Sequence, residues 1–130
     1  MSSHFTFSAR IKSIKHALEG IMLVLRTQHN AWIHAIASLL VMVLGIFLTL
    51  TTAEWLMLVL CISSVWAAES FNTALELLAD ATTEDFHPFI KKAKDASAGA
   101  VLITATGSAI IGSIIFMPKI YALIQYQIHT

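Results

Sequence analysis

A stripe of polar side chains runs through an otherwise apolar stretch of the sequence, from Trp66 to Asp80. The spacing of its members follows the turns of an α-helix, which would bring all of them onto one face. They are two glutamates, an asparagine, a threonine and an aspartate: Glu69, Asn72, Thr73, Glu76 and Asp80. Carboxylate and amide oxygens can bind a hard divalent cation, and a carboxylate can also accept a proton in catalysis.

The cost of burying charge indicates that the two glutamates of this polar stripe have a function. One charged side chain at the centre of a membrane helix costs on the order of 3 kcal/mol on insertion scales. Asn72 and Thr73 alone would suit hydrogen bonding between helices, which is the structural alternative. Glu69 and Glu76 beside them favour a metal site, acid–base chemistry, or a pathway for protons or cations. The stripe by itself does not separate these possibilities.

The segment after the polar stripe helps to choose among them. It contains Asp-Phe-His at 85–87 and a lysine-rich run at 91–95. Lys94 and Asp95 are expected to open the next helix, where a lysine can meet phosphate oxygens as a point charge. Taken alone, the segment is typical of a solvated basic loop. Beside an acidic stripe at the same membrane depth, it indicates a site for Mg²⁺ and a polyphosphate.

The composition points to a bilayer as the solvent of this chain. Of its 130 residues, 57% are hydrophobic and 12% are charged, whereas soluble domains carry roughly 25% charged residues. A soluble domain of this size could not bury so much apolar surface. The formal net charge is zero, which gives no general attraction to nucleic acid. The single cysteine, Cys61, cannot form an intramolecular disulfide and is expected to be buried filler.

Hydrophobic periodicity predicts an all-α membrane protein with one domain over residues 1–130. Residues 7–26 are predicted to form an amphipathic helix in the membrane interface. The apolar residues of this segment recur at helical spacing and form one face, and its basic residues fall mostly on the other face. Each of the three predicted spans is near the roughly 20 residues that cross the hydrocarbon. They lie at about 32–50, 54–80 and 97–117.

Two further features of the predicted spans concern packing. His34 is expected to be a hydrogen-bonded structural residue, and pairing with the polar stripe is the alternative. Small residues recur at every fourth position around the third span, and they are expected to allow close helix packing rather than to contact substrate. These are Ala96, Ala100, Thr104, Ser108 and Gly112.

The positions of lysine and arginine predict how the chain is oriented. These residues precede the first span and lie between the second and third, whereas the short connection at 51–53 has none. The positive-inside rule therefore places the N-terminus and the 81–96 loop in the cytoplasm and the C-terminus outside. Chemistry that uses cytoplasmic nucleotide would then belong on the basic face.

The polar stripe and the residues after it resemble the prokaryotic diacylglycerol kinase family, which also includes undecaprenol kinases. The resemblance rests on Glu-x-x-Asn-Thr-Ala-x-Glu-x-x-x-Asp at 69–80, followed by Ala-Lys-Asp at 93–95 and a helix of small residues. It covers nearly the whole chain, including the Gln-His-Asn turn at 28–30. It implies an enzyme of the inner (plasma) membrane that uses MgATP to phosphorylate a lipid alcohol.

The resemblance also implies roles for individual residues. Glu69 matches the general base that takes the proton from the lipid hydroxyl, and Asn72 matches a residue lining the catalytic site. Glu76 matches a Mg²⁺ ligand. The best-known branch of the family has a second acidic metal ligand where this chain has Gln28, whose carbonyl oxygen brings no negative charge. The positions matched to nucleotide contacts are Asp85, Phe86, His87, Lys94, Asp95, Arg10, His16 and Gln28.

Diacylglycerol is the expected acceptor, with phosphatidic acid as product, and undecaprenol is the alternative. Three helices cannot fully surround the acidic stripe of one chain, which predicts a homo-oligomer, and the resemblance implies a trimer with shared sites. Two other hypotheses remain: a family member that binds nucleotide without turnover, and a non-enzymatic proton or cation conductor built on the polar stripe.

Overall fold

The computed structural model of the protein describes residues 6–82 and 85–129, which form four α-helices. The helices are α1 (Phe7–Thr27), α2 (His29–Phe47), α3 (Thr52–Thr82) and α4 (Pro88–His129). Neither described range contains a strand, and the predicted all-α fold is confirmed. The ends of the predicted domain, at residues 1–5 and 130, lie outside the described residues, as do residues 83–84 of the predicted loop.

The helices α2, α3 and α4 are each long and apolar enough to cross a bilayer. The most apolar windows of these helices have mean hydropathies of 1.9, 1.3 and 2.0. Many of their large apolar side chains are exposed on the single chain, which suits a hydrocarbon environment and not water. The three helices therefore mark the chain as a membrane protein.

The first helix, α1, ends where the sequence predicts, within one residue. Gln28 interrupts the helical path with extended backbone and serves as the N-cap residue of α2. The apolar side chains Ile11, Ile14 and Leu18 are more than half exposed on the single chain. The helical conformation is observed, and the amphipathic character of the helix and its location in the membrane interface stay predictions.

The main packing contact joins α3 and α4, and α1 and α2 pack less extensively against α3 and against each other. A small apolar core lies at the end of the bundle where α2 turns into α3, and it comprises Leu50, Leu58, Ile115 and Phe116. Gly45 is required beside this core, because a β-carbon there would lie 2.8 Å from the ring of Trp55. The opposite end of the bundle carries the polar stripe.

The last helix begins earlier than the sequence analysis predicts. The segment before Ser97 was expected to be a loop with Lys94 and Asp95 opening the helix, but α4 already starts at Pro88. Proline suits the first helical turn because its fixed φ is helical and its missing N–H is not needed there. An ion pair between Lys91 and Asp95, one turn apart, further supports this part of α4.

A reciprocal cap at the start of α3 stabilises the end of the bundle where α2 turns into α3. Glu54 accepts hydrogen bonds from the backbone N–H of Thr51 at 2.7 Å and from its hydroxyl at 2.9 Å. Its carboxylate also lies 3.2 Å from Lys119 Nζ on α4. This arrangement is a capping box that also contacts a second helix.

The substitution Glu54→Ala is expected to lower the midpoint of thermal unfolding by a few degrees, because it removes the cap and the contact with Lys119 together. Thermal scans of the purified protein in one detergent would measure this. Lys119→Ala, which removes only the contact between helices, should have a smaller effect. Equal midpoints for Glu54→Ala and the natural chain would show that the cap does not contribute.

Candidate active site

Residues from α2, α3 and α4 line a cleft of about 300 Å³, here called the polar cleft. Its polar lining comes from α3 and from the start of α2: Glu69, Asn72, Glu76, Gln28, Asn30 and His34. The wall from α4 is apolar and runs from Ala98 to Ala105. The opposite face of α3 is exposed at Phe71 and Leu78, as expected for an amphipathic pattern. The predicted base, metal ligands and Asn72 thus share one cleft.

Glu69 is a buried carboxylate that lacks hydrogen-bond donors. Its side chain is 1% exposed, and neither carboxylate oxygen has a donor among the described residues. The Nε2 atom of His34 lies 4.0 Å from Oε2, which is too long for a hydrogen bond. A buried carboxylate without donors is strongly unfavourable. Glu69 is therefore suited to accept the O–H of a molecule that enters the cleft.

Glu76 differs from Glu69 because both of its oxygens accept amide hydrogens. The Nε2 atom of Gln28 donates to Oε2 at 3.0 Å, and the Nδ2 atom of Asn72 donates to Oε1 at 3.1 Å. Asn72 is held in turn by Ser97, whose hydroxyl donates to Oδ1 at 2.7 Å. Side chains from α3, from α4 and from the turn between α1 and α2 thus fix the orientation of one carboxylate. A rigid, half-buried carboxylate of this kind is suited to holding a cation.

A lysine lies beyond Glu76, just outside the lining of the polar cleft. Lys94 Nζ is 2.9 Å from Asp80 Oδ1, which joins α4 to the last member of the polar stripe. Both side chains are accessible, with exposed fractions of 38% and 69%. Lys94 stands one helical turn before Ala98, where the α4 wall of the cleft begins. A phosphate group at this end could therefore replace Asp80 as the partner of Lys94.

Several predicted nucleotide contacts do not line the polar cleft. Arg10 and His16 are exposed on α1, and His16 contacts Glu19 at 3.1 Å. The Asp-Phe-His segment at 85–87 is exposed in the connection before α4. Asp95 pairs with Lys91 on the surface of α4. The structure brings Lys94 close to the polar stripe and leaves these other residues outside the cleft.

Two residues of the site were not predicted to have this position. His34 faces Glu69, which matches the alternative given for it rather than the structural role that was expected. Ser97 was not singled out, although it lies one turn after Lys94 on the same helix and its hydroxyl is 2.9 Å from the Lys94 carbonyl oxygen. Ser97 follows Lys94 by three residues, and residues at this spacing lie on the same face of a helix. This spacing could have indicated that Ser97 belongs to the site.

The donor set fits Mg²⁺ that arrives with a polyphosphate better than a metal held by protein alone. No cluster of three or more His, Cys, Asp or Glu side chains suited to a metal occurs within residues 6–82 and 85–129. Mg²⁺ commonly uses one or two carboxylates and completes its octahedron with waters and substrate phosphates. The carboxylate of Glu76 and the amide oxygens of Asn72 and Gln28 are hard donors of the required kind.

Comparison with known proteins identifies the family of this chain. Residues 15–116 match the family model described as prokaryotic diacylglycerol kinase. An undecaprenol kinase from Bacillus subtilis (strain 168) is 42% identical over 109 residues, which are 84% of this chain and 89% of that protein. A diacylglycerol kinase from Synechocystis sp. is 33% identical over 112 residues, covering 85% of this chain and 64% of that protein.

A diacylglycerol kinase from Helicobacter pylori (strain J99) is 42% identical over a shorter stretch of 69 residues, 52% of this chain and 53% of that protein. The family match includes α2, α3 and most of α4, and therefore every residue that lines the polar cleft. The chain belongs to the prokaryotic diacylglycerol kinase family.

Proposed function

We propose that this lipid kinase transfers the γ-phosphate of ATP directly to a lipid alcohol in the polar cleft. The observation that carries this proposal is the buried Glu69 carboxylate, which has no donor among the described residues and faces an open cleft. A lipid hydroxyl would supply the missing hydrogen bond. In the reaction, the hydroxyl oxygen bonds to the γ-phosphorus, the bond to the ADP oxygen breaks, and Glu69 takes the hydroxyl proton.

The end of the polar cleft around Glu76, away from Glu69, would hold the phosphates. Glu76, with the amide oxygens of Asn72 and Gln28, would bind Mg²⁺, and Lys94 would contact phosphate oxygens after leaving Asp80. The bound cation would neutralise charge on the phosphoryl group as it transfers. The two amide groups would rotate to present oxygen in place of nitrogen, and Asn72 would then give up the hydrogen bond that it accepts from Ser97. The remaining nucleotide contacts stay predictions: Arg10, His16, Asp85, Phe86, His87 and Asp95.

Undecaprenol is the acceptor that the comparisons favour. The relative with 42% identity over most of both chains is an undecaprenol kinase, and the two proteins are of similar length. Diacylglycerol, which the sequence analysis favoured, remains the second candidate because the Synechocystis and Helicobacter relatives are diacylglycerol kinases. Both lipids present one hydroxyl at the end of a long apolar body, so the same catalytic groups would serve either.

The same proposal places the protein in the inner (plasma) membrane with its polar end toward the cytoplasm. Lys91, Lys92 and Lys94 lie at that end of α4, and the positive-inside rule then puts the nucleotide on the cytoplasmic side. The helix α1 would lie in the interface, where its exposed apolar side chains contact lipid. A homotrimer would cover the exposed parts of the polar stripe.

A direct assay tests the function. Purified protein would be incubated with labelled MgATP and either undecaprenol or diacylglycerol in the same mixed micelles, and labelled lipid phosphate would be measured. We expect undecaprenyl phosphate to form faster. Faster phosphorylation of diacylglycerol would reverse the order of the two acceptors. No lipid phosphate from a folded protein would remove the kinase proposal, and ion flux through vesicles would then test the conductor hypothesis.

The role of Gln28 makes a separate prediction. The Gln28 amide now donates a hydrogen bond to the Glu76 carboxylate. Gln28→Glu replaces this amide by a second carboxylate that faces Glu76. A cation between the two carboxylates should bind more tightly than one beside Glu76 and an amide. We expect the Mg²⁺ concentration for half-maximal rate to fall by about tenfold. Magnesium titrations at constant ATP would measure it, with Gln28→Ala as the control that removes the amide without adding charge. An unchanged titration for Gln28→Glu would exclude this position from the metal site.

A further inference from the structure

Two ion pairs between α3 and α4 mark a length of the bundle that fits a bilayer. Lys94 pairs with Asp80 at 2.9 Å at the polar end, and Lys119 pairs with Glu54 at 3.2 Å at the other end. Along α4, the stretch from Lys94 to Lys119 is about 38 Å long at the helical rise of about 1.5 Å per residue. The hydrocarbon core of a bilayer is roughly 30 Å thick. Each ion pair is therefore expected to lie near one membrane interface.

The helix α4 continues past the second of these ion pairs. It passes through Pro118 without interruption and ends at His129. Residues 120–129, here called the distal segment, add about 15 Å to the helix. None of the side chains at 120–129 is buried, since α3 begins at Thr52, within one turn of Glu54, and does not extend beside them. The distal segment also lies beyond the part of the chain that the family model matches.

The distal segment has one apolar face. Four large side chains recur there at helical spacing, each between 39% and 69% exposed: Ile120, Tyr121, Ile124 and Ile128. Leu123 lies at the edge of this face, and the remaining side chains are polar or small: Ala122, Gln125, Tyr126, Gln127 and His129. The Nε2 atom of Gln125 donates a hydrogen bond to the Tyr121 hydroxyl at 2.9 Å, so the polar tip of Tyr121 points to the border of the apolar face. This pattern is typical of a helix that lies on a membrane surface.

The apolar face continues a stripe of exposed apolar side chains on the membrane span. Ile110, Ile114 and Met117 lie on the same side of α4 and are 56%, 68% and 69% exposed. Within the span, such a stripe suits contact with acyl chains. The distal segment carries the stripe onward with two tyrosines, Tyr121 and Tyr126, and tyrosine is enriched where membrane meets water. Lipid is therefore the occupant that best fits the apolar face.

Pro118 allows the distal segment to reach the membrane surface. Its ring nitrogen carries no N–H, so α4 lacks the backbone hydrogen bond to the Ile114 carbonyl oxygen, and helices bend at such positions. A distal segment that followed the axis of the span would hold its apolar face in water. A bend at Pro118, next to the interfacial Lys119, would lay the same face against the headgroups.

We propose that the distal segment docks on the membrane surface at the end of the bundle where α2 turns into α3, with its apolar face among headgroups and upper acyl chains. Removing Ile124 and Ile128 from water drives the docking, because apolar surface gains free energy when it leaves water. The docking requires the bundle to cross a bilayer and is independent of the kinase reaction. It would fix the depth of α4 in the membrane.

Ala122 and Ile124 provide a matched pair for the test, because side chains two residues apart point to nearly opposite sides of a helix. Ala122→Cys and Ile124→Cys would each be made together with Cys61→Ala, spin-labelled, and reconstituted in vesicles of phosphatidylcholine and phosphatidylglycerol. Collisions of the label with oxygen and with a water-soluble nickel complex would measure its depth. We expect the label at 124 to lie at a depth of roughly 5–10 Å and the label at 122 to be accessible to nickel.

A charge in the apolar face should release the distal segment. In the chain labelled at 124, Ile128→Asp is expected to shift the label from lipid into water, because it places a carboxylate among acyl chains. His129→Asp introduces the same group at the next residue, outside the apolar face, and should leave the depth of the label unchanged. An unchanged depth in Ile128→Asp would show that the apolar face does not hold the segment.

Three other outcomes would overturn the docking. Nickel access at both labelled positions would mean that the segment stands in water, and oxygen access without nickel access at both would place it inside the hydrocarbon. Dipolar broadening between labels at 124 that disappears on dilution with unlabelled chain would mean that another copy covers the apolar face. If Ile124→Cys fails to fold, a label at Ile120, on the same face, must show the same difference from Ala122→Cys.

Discussion

Glu69→Gln is expected to reduce the rate of phosphoryl transfer by about 10²- to 10⁴-fold, the range that a positioned general base contributes. The amide has nearly the same size as the carboxylate but cannot take the proton of a lipid hydroxyl. MgATP binding should change little, because the groups proposed to hold the phosphates lie farther along the cleft, around Glu76. Single-turnover rates and a separate measurement of MgATP affinity would distinguish the two effects.

Two variants control for effects on structure. Glu54→Gln makes the same chemical change in the first turn of α3, away from the polar cleft, and should keep the rate per folded molecule. Glu69→Asp keeps a carboxylate but withdraws it by one methylene, and it should retain more activity than the glutamine variant. A Glu69→Gln enzyme with unchanged turnover would remove Glu69 as the base. A loss of MgATP binding as large as the loss of rate would make Glu69 a nucleotide-binding residue instead.

The residues proposed for catalysis could be predicted to lie together because they lie on one helix. Glu69, Asn72 and Glu76 share a face whenever the segment is helical, and the high cost of charge in a membrane indicates that this face must be covered. Local spacing therefore predicted which of these side chains meet in the cleft. The same reasoning predicted that α3 would expose apolar side chains such as Phe71 on its other face.

Features that depend on the register between helices were less predictable. His34 lies near Glu69 only because the first turns of α2 lie beside the middle of α3. No local sequence pattern determines this relative position of the two helices along their axes. Gly112 illustrates the same limit, since small residues at regular spacing permit close packing, yet within the single chain a β-carbon at Gly112 would meet no heavy atom within 4 Å. The start of α4 at Pro88 was missed because charged residues were taken to mark a loop, although a helix can carry them outside the hydrocarbon.

Glu76→Gln is expected to reduce activity at a fixed Mg²⁺ concentration by about 10²- to 10³-fold, comparable to losing one strong electrostatic contact in a transition state. Unlike the change at Glu69, it should weaken MgATP binding, because it removes the one carboxylate of the proposed metal site. Calorimetric titration with MgATP and rates over a range of Mg²⁺ would measure both. Higher Mg²⁺ should restore part of the rate, which it should not do for Glu69→Gln.

The amide at position 76 would also disturb the local hydrogen bonds, and this effect must be separated from the loss of charge. Gln28 and Asn72 both donate to the present carboxylate, whereas an amide offers one accepting oxygen and would place its own N–H groups against one donor. Gln28→Ala removes one of these hydrogen bonds and leaves the Glu76 charge intact. If Gln28→Ala loses as much activity as Glu76→Gln, the Gln28 side chain, as hydrogen-bond donor or as metal ligand, matters as much as the charge of Glu76. If it keeps activity to within about tenfold, the negative charge at Glu76 is what binds the cation.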